Sequence, residues 1–241
     1  MKKKTLKKEI LFFLLLTFSL AVIFALPEGP SSLNVLENRT KVPEAAKAVN
    51  ISGGYISTIN LTAVIQNVRW KAFVGWVEGK FTLDDTTGST IFDWSLATIN
   101  GEVYATRATD NIQWSTVVCA QISDMENENL ALNHTNPEDN ITRTFTKQPQ
   151  THNAIQIGTK VISANSCNGT LNTYQNDNPQ DVNFQEILLK DSNSNLIYAT
   201  FIEKNTQGYD GSNYDFQMIV PENGTPGFQS ATAYYLYVEL D

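Results

Sequence analysis

His134 and His152 are the only histidines in the chain, so a nucleophile relying on an imidazole base would have to meet one of them. Both fall in a stretch rich in Asn, Glu and Thr at 121–153, and His134 lies inside a sequon, a setting that reads as solvent-exposed loop. No G-x-S-x-G, H-E-x-x-H, P-loop or dinucleotide fingerprint occurs. Carboxylates remain, because a glycoside hydrolase needs only two of them facing one another across a cleft. Asp84, Asp85, Asp210, Asp215 and Glu222 stand out, yet each lies in or beside a turn, where Asp is favoured for backbone reasons alone. We therefore assign no catalytic residue. Two cysteines and two distant histidines are too few for a transition-metal site, and no cofactor is expected. Calcium held by loop carboxylates stays open, although no twelve-residue loop with the required ligand spacing is present.

The covalent chemistry is more informative. Cys119 and Cys167 are the only cysteines, and in an oxidising compartment they are expected to pair as one disulfide. Seven positions fit Asn-x-Ser/Thr: Asn38, Asn50, Asn60, Asn133, Asn140, Asn168 and Asn223. They are candidate N-glycosylation sites if the chain is exported. Four tryptophans offer stacking surfaces for sugar rings. Trp94 is in phase with Phe92 and Leu96 and is expected in the core. Trp70 and Trp76, six residues apart, would share a face of a regular strand. Core packing is the first reading for them as for the other tryptophans, and if exposed they are the candidate ligand-binding pair.

The compartment follows from the first residues. Five lysines within residues 2–8 precede an apolar run at 10–26, the pattern of a signal peptide or an N-terminal anchor helix. Membrane contact is expected only through residues 10–26, and only if that leader is not cleaved. Either outcome places the remainder outside the cell or on its surface. The formal charge is −8, and removing the five leader lysines and Glu9 makes it −12. Such a surface repels phosphate backbones and argues against nucleic acid as a partner.

The elements that must position these residues are short. Residues 27–53 read as an extended linker, with a short helical periodicity only at 44–49, and residues 54–241 read as one β-sandwich domain. Ile59, Leu61, Ala63 and Ile65 alternate with Thr58, Asn60, Thr62 and Val64 and predict a strand with Asn60 on its polar face. Residues 84–89 predict a hairpin turn, and Asn100-Gly101 predicts a second. Residues 121–153 read as a decorated loop or a junction between halves. About ten short strands separated by turn residues predict an all-β, antiparallel β-sandwich, with a jelly-roll-like order as one form of it.

The segments at 70–79 (WKAFVGWVEG), 92–96 (FDWSL), 101–106 (GEVYAT), 188–191 (LLKD), 214–221 (YDFQMIVP) and 233–240 (AYYLYVEL) resemble a family of uncharacterised, exported archaeal cell-surface proteins. The likeness covers most of residues 55–241 and implies a cell-surface setting and a β-rich domain, with no activity to transfer. Glu78 stands near the point where the family pattern carries a sequon asparagine.

Three readings follow. The first is a non-catalytic, N-glycosylated surface or envelope protein that self-associates, for which the 27–50 tail could add a strand to a neighbour. The second is a carbohydrate-binding β-sandwich module resting on tryptophan exposure. The third is an extracellular hydrolase using acidic residues.

Overall fold

In the computed structural model, residues 26–146, 150–228 and 230–241 are described. The leader at 1–26 therefore lies outside the described residues except for Leu26. Among those described, no helix is long and apolar enough to cross a membrane.

The described residues form an all-β, antiparallel fold with two short α-helices among them. Its centre is a six-stranded sheet built on β4 (Gly101–Thr106), β9 (Gln185–Lys190), β10 (Leu196–Phe201) and β14 (Tyr235–Leu240). The order is β14-β4-β10-β9-β5, with β5 (Val118–Cys119) and β8 (Thr170–Asn172) sharing the outer edge of β9. Strands β4, β9 and β10 are almost wholly buried, because both faces of this sheet are covered. Period-2 alternation then sends successive side chains into two different cores.

One face carries Val103, Ala105, Leu188, Leu196 and Tyr198. A ribbon of β1 (Trp70–Gly75) and β13 (Phe216–Pro221) covers it through Met218, Val220 and Phe73. Helices α1 (Ile122–Ala131) and α2 (Ile141–Phe145) complete that cover with Met125, Ile141 and Phe145. The opposite face carries Tyr104, Ile187, Leu189, Ile197 and Ala199. Over it lie Trp114, Val117 and the hairpin of β6 (Ile155–Ile157) and β7 (Lys160–Ile162). A small ribbon of β11 (Thr206–Gln207) and β12 (Asn213–Tyr214) lies in the turn region before β13.

Several expectations change. Residues 121–153 are not a loop between halves: α1 and α2 pack on the central sheet. Asn100-Gly101 does not close a two-residue hairpin, because β4 pairs with β10 and β14. Gly101 instead has φ +126°, and a Cβ there would run into the Glu239 carbonyl. No helix forms at 44–49 and no strand at 59–65. A strand exists only where a second backbone accepts its hydrogen bonds, and residues 56–68 lie beside no such backbone among the described residues.

Candidate interaction surface

Two parts of the chain keep apolar side chains uncovered. The first is the hairpin of β2 (Lys80–Asp84) and β3 (Thr90–Ser95), a two-stranded ribbon joined to no other strand among the described residues. Its turn is well made: Asp85 Oδ1 accepts the backbone N–H groups of Thr87 and Ser89 at 2.8 and 2.9 Å, and Gly88 takes φ +81°. The register sets Phe81 opposite Trp94 and Leu83 opposite Phe92. Alternation therefore gathers Phe81, Leu83, Phe92 and Trp94 on one face, while Lys80, Thr82 and Asp93 occupy the other. Phe92 and Trp94 meet edge to face, with ring centroids 4.9 Å apart, and Lys80 pairs with Asp93 at 2.5 Å. Every residue of both strands is exposed. Trp94, expected in the core, is 49% exposed. The phase was right, but no element among the described residues covers the face, and only Leu96 reaches the core.

The second part is the strap at 28–69. It is tied to the body at its start, where Glu28 and Val238 exchange both backbone hydrogen bonds at 3.0 and 2.8 Å on the outer edge of β14. It is tied again by Arg39, which donates to Asp210 at 2.8 Å. It turns at 52–55, and Lys41 donates to the Val64 carbonyl on the return at 2.7 Å. Residues 28–68 are all exposed. Residues 48–68 carry no charge, yet Leu61 and Ile65 are 86% and 84% exposed. An uncharged segment with alternating aliphatic residues, laid bare over its whole length, is the reverse of what solvated loops show.

The tryptophan pair does not form a platform. Trp70 is half-buried, with His134 at 5.1 Å and Phe145 at 6.2 Å, and its Nε1 donates to the Asp139 carbonyl. Trp76 lies past the end of β1, exposed, donating to the Asn213 carbonyl and tilted 5.4 Å from Tyr214, which stacks with Tyr209. Trp114 is buried beside Tyr104 and Tyr237.

Both histidines are buried, which overturns the loop assignment. Burial lowers the pKa of each. His152 Nε2 accepts the Cys167 N–H and Nδ1 donates to the Asn153 carbonyl, so this ring is neutral and braces the disulfide. The ring nitrogens of His134 face the carbonyls of Asp139 and Glu222 at 3.0 and 3.3 Å, tying α1 and the loop before α2 to β13. Cys119 and Cys167 are bonded, with Cα atoms 5.2 Å apart, and fasten β5 to the segment entering β8.

Among the sequon asparagines, Asn38, Asn50, Asn60, Asn133 and Asn168 are exposed and Asn140 and Asn223 are half-buried. Asn140 is the N-cap of α2, accepting the Arg143 N–H, and Asn223 accepts from the Thr225 N–H. Of the turn acids, Asp84 and Asp85 belong to the β2–β3 hairpin. Asp215, 1% exposed, accepts the N–H groups of Val77 and Asn205 and the Lys204 ammonium at 2.8–2.9 Å. Burial alone would raise its pKa, but these donors hold it below the usual carboxylate range. Among the described residues no three His, Cys, Asp or Glu stand together as a metal site, and calcium gains no ligand set.

Sequence reasoning missed a cluster of carboxyls on the central sheet. Glu102 and Glu239 are direct cross-strand neighbours, 3% and 2% exposed, with Asp241 next on the same face. Glu239 accepts from the Gly158 N–H and from the Tyr104 hydroxyl at 3.0 Å. Glu102 Oε2 has no partner among the described residues, and the side chain lines a cavity of about 380 Å³ with Asn100, Gln156, Phe201 and Asp241. Burial, then the charges of Asp241 and Glu239, push its pKa up to about 9. The only hint in the sequence was an acid in phase with core residues on each of two strands.

No family model matches the chain, and no curated protein or solved structure matches it.

Proposed function

We propose that this chain is an exported, N-glycosylated and non-catalytic surface subunit that assembles with copies of itself. In this assembly the strap segment 58–65 docks on a neighbouring copy through its aliphatic side. The observation that carries it is the run at 48–68, uncharged and exposed, with Ile59, Leu61, Ala63 and Ile65 on alternate positions. Packing that side against another chain would give the period-2 pattern a buried surface and remove its aliphatic side chains from water. Export is supported by the lysine-then-apolar leader and is compatible with the single disulfide. Asn60 lies on the polar side of the alternation, where a sugar would not obstruct pairing.

The test is sedimentation velocity of the full mature chain over a wide concentration range, together with a Leu61→Asp/Ile65→Asp variant. Each buried aliphatic side chain contributes about 1.5–3 kcal/mol, so losing two should weaken association at least about 100-fold. The variant's melting temperature should not change, because both side chains are already in water. A chain that stays monomeric throughout, or assembles equally well with both aspartates, would refute the proposal.

Carbohydrate binding is the second reading, moved from the Trp70–Trp76 pair to the exposed Trp76 beside Tyr214 and Tyr209. A glycan array with the parent chain and Trp76→Ala decides it: no glycan retained, or equal retention by both, removes it.

A further inference from the structure

The strap needs a place to bind, and the same chain presents one uncovered apolar surface built from regular structure. Phe81, Leu83, Phe92 and Trp94 form one face of the β2–β3 hairpin, each between 38% and 57% exposed. A two-stranded ribbon is marginal by itself, and it gains stability when its apolar face is packed. Here the face has no cover among the described residues, while Lys80, Thr82 and Asp93 lie on the reverse side and Ile91 sits at the bulge.

Dimensions and charge match the strap to this face. Residues 59–65 in extended form reach about 23 Å, and hairpin strands of five and six residues reach about 17–20 Å. Side chains two apart on a strand repeat about every 6.6 Å, the same interval on both surfaces. Neither the apolar side of 59–65 nor the four-residue face includes a charge, so contact strands no ion away from water.

From this complementarity we infer that the apolar face of the β2–β3 hairpin is the seat for residues 59–65 of a second copy of this chain. Ile59, Leu61 and Ile65 pack on Phe81, Leu83, Phe92 and Trp94, and Asn60 points away from the seam. This inference rests on the assembly reading above. The outer edge of β1 is the competing acceptor: Lys71, Phe73 and Gly75 are directed toward β13, which leaves the backbone of Ala72 facing outward.

The parent chain holds no free cysteine, so single thiols report cleanly. Leu61→Cys chains are mixed under mild oxidation with Phe92→Cys chains, with Leu83→Cys chains, or with Ala72→Cys chains, and assembly is followed in parallel by light scattering. The inference expects covalent heterodimers with Phe92→Cys and Leu83→Cys, several-fold above the Ala72→Cys mixture. It also expects the Trp94 emission, taken as the parent minus Trp94→Phe difference, to shift to the blue on assembly. Heterodimers dominated by Ala72→Cys, or scattering without any of these cross-links, overturn the hairpin seat while leaving assembly standing. Cross-linking within monomers of a Leu61→Cys/Phe92→Cys double variant, with none between chains, means that the strap covers its own hairpin and overturns the seat too. No cross-link and no scattering at any concentration overturns both proposals.

Discussion

Replacing Glu102 with glutamine should make the protein more stable at neutral and alkaline pH, and the size of the effect follows from one carboxyl. Its pKa rises from the usual 4.5 to about 9, because burial and then Asp241 and Glu239 oppose its charge. The folded chain thus holds a proton that the unfolded chain has released throughout that window. Stability contributed by this group is complete below about pH 4.5 and is lost as pH rises toward 9. The slope is about 1.4 kcal/mol per pH unit, which gives a loss of about 4 kcal/mol between pH 5 and pH 8. Glutamine keeps the shape and cannot ionise, so this loss should disappear. Urea melts of parent and variant at pH 5, 6, 7 and 8 measure it. The two should differ little at pH 5 and diverge steadily, with the variant ahead by about 4 kcal/mol at pH 8. Glu239 and Asp241 face the same point and are raised chiefly by burial, so the variant will keep a shallower slope of the same sign. Parallel curves, or a parent chain that gains stability from pH 5 to pH 8, would refute the assignment of a buried neutral acid.

Other perturbations probe separate parts of the fold. Cys119→Ser/Cys167→Ser opens a link spanning 48 residues and should cost about 4 kcal/mol in a denaturant melt. Asp215→Ala leaves two backbone N–H groups and Lys204 without their acceptor and should cost about 3–5 kcal/mol. Because the Asp215 pKa is lowered, its contribution in the parent is present above about pH 4 and fades on acidification, the opposite sense to Glu102. Glu186, fully buried with its pKa raised by burial, accepts the Ile219 N–H at 2.9 Å. Glu186→Gln should therefore be nearly neutral by calorimetry at pH 5, whereas Glu186→Ala should cost about 1–3 kcal/mol by leaving that N–H unpaired.

Much of the architecture was legible because it is local or periodic. The 84–89 cluster closed the β2–β3 hairpin, since Asp85 and Gly88 supply its hydrogen bonds and its positive φ within six residues. The two cysteines were joined because no other pairing existed. Helix α1 was not legible. It buries Met125 and Asn129, and its start is capped by Gln121 with Asp124 at the third helical position, a weaker signal than Ser or Thr. Buried Asn129 accepts the Ile141 N–H and donates to Thr142, so a polar residue fills a core position that pattern reasoning assigns to water.

By itself, the sequence determined which residues can alternate, turn and cross-link, because those properties depend on neighbours along the chain. Only the tertiary structure decided which polar groups are buried and which apolar ones are not. His134 and His152 entered the interior because distant carbonyls and an amide meet their ring nitrogens. Ile59, Leu61, Ile65 and Trp94 stayed outside although their period was right, because burial needs an opposing surface and none stands against them among the described residues.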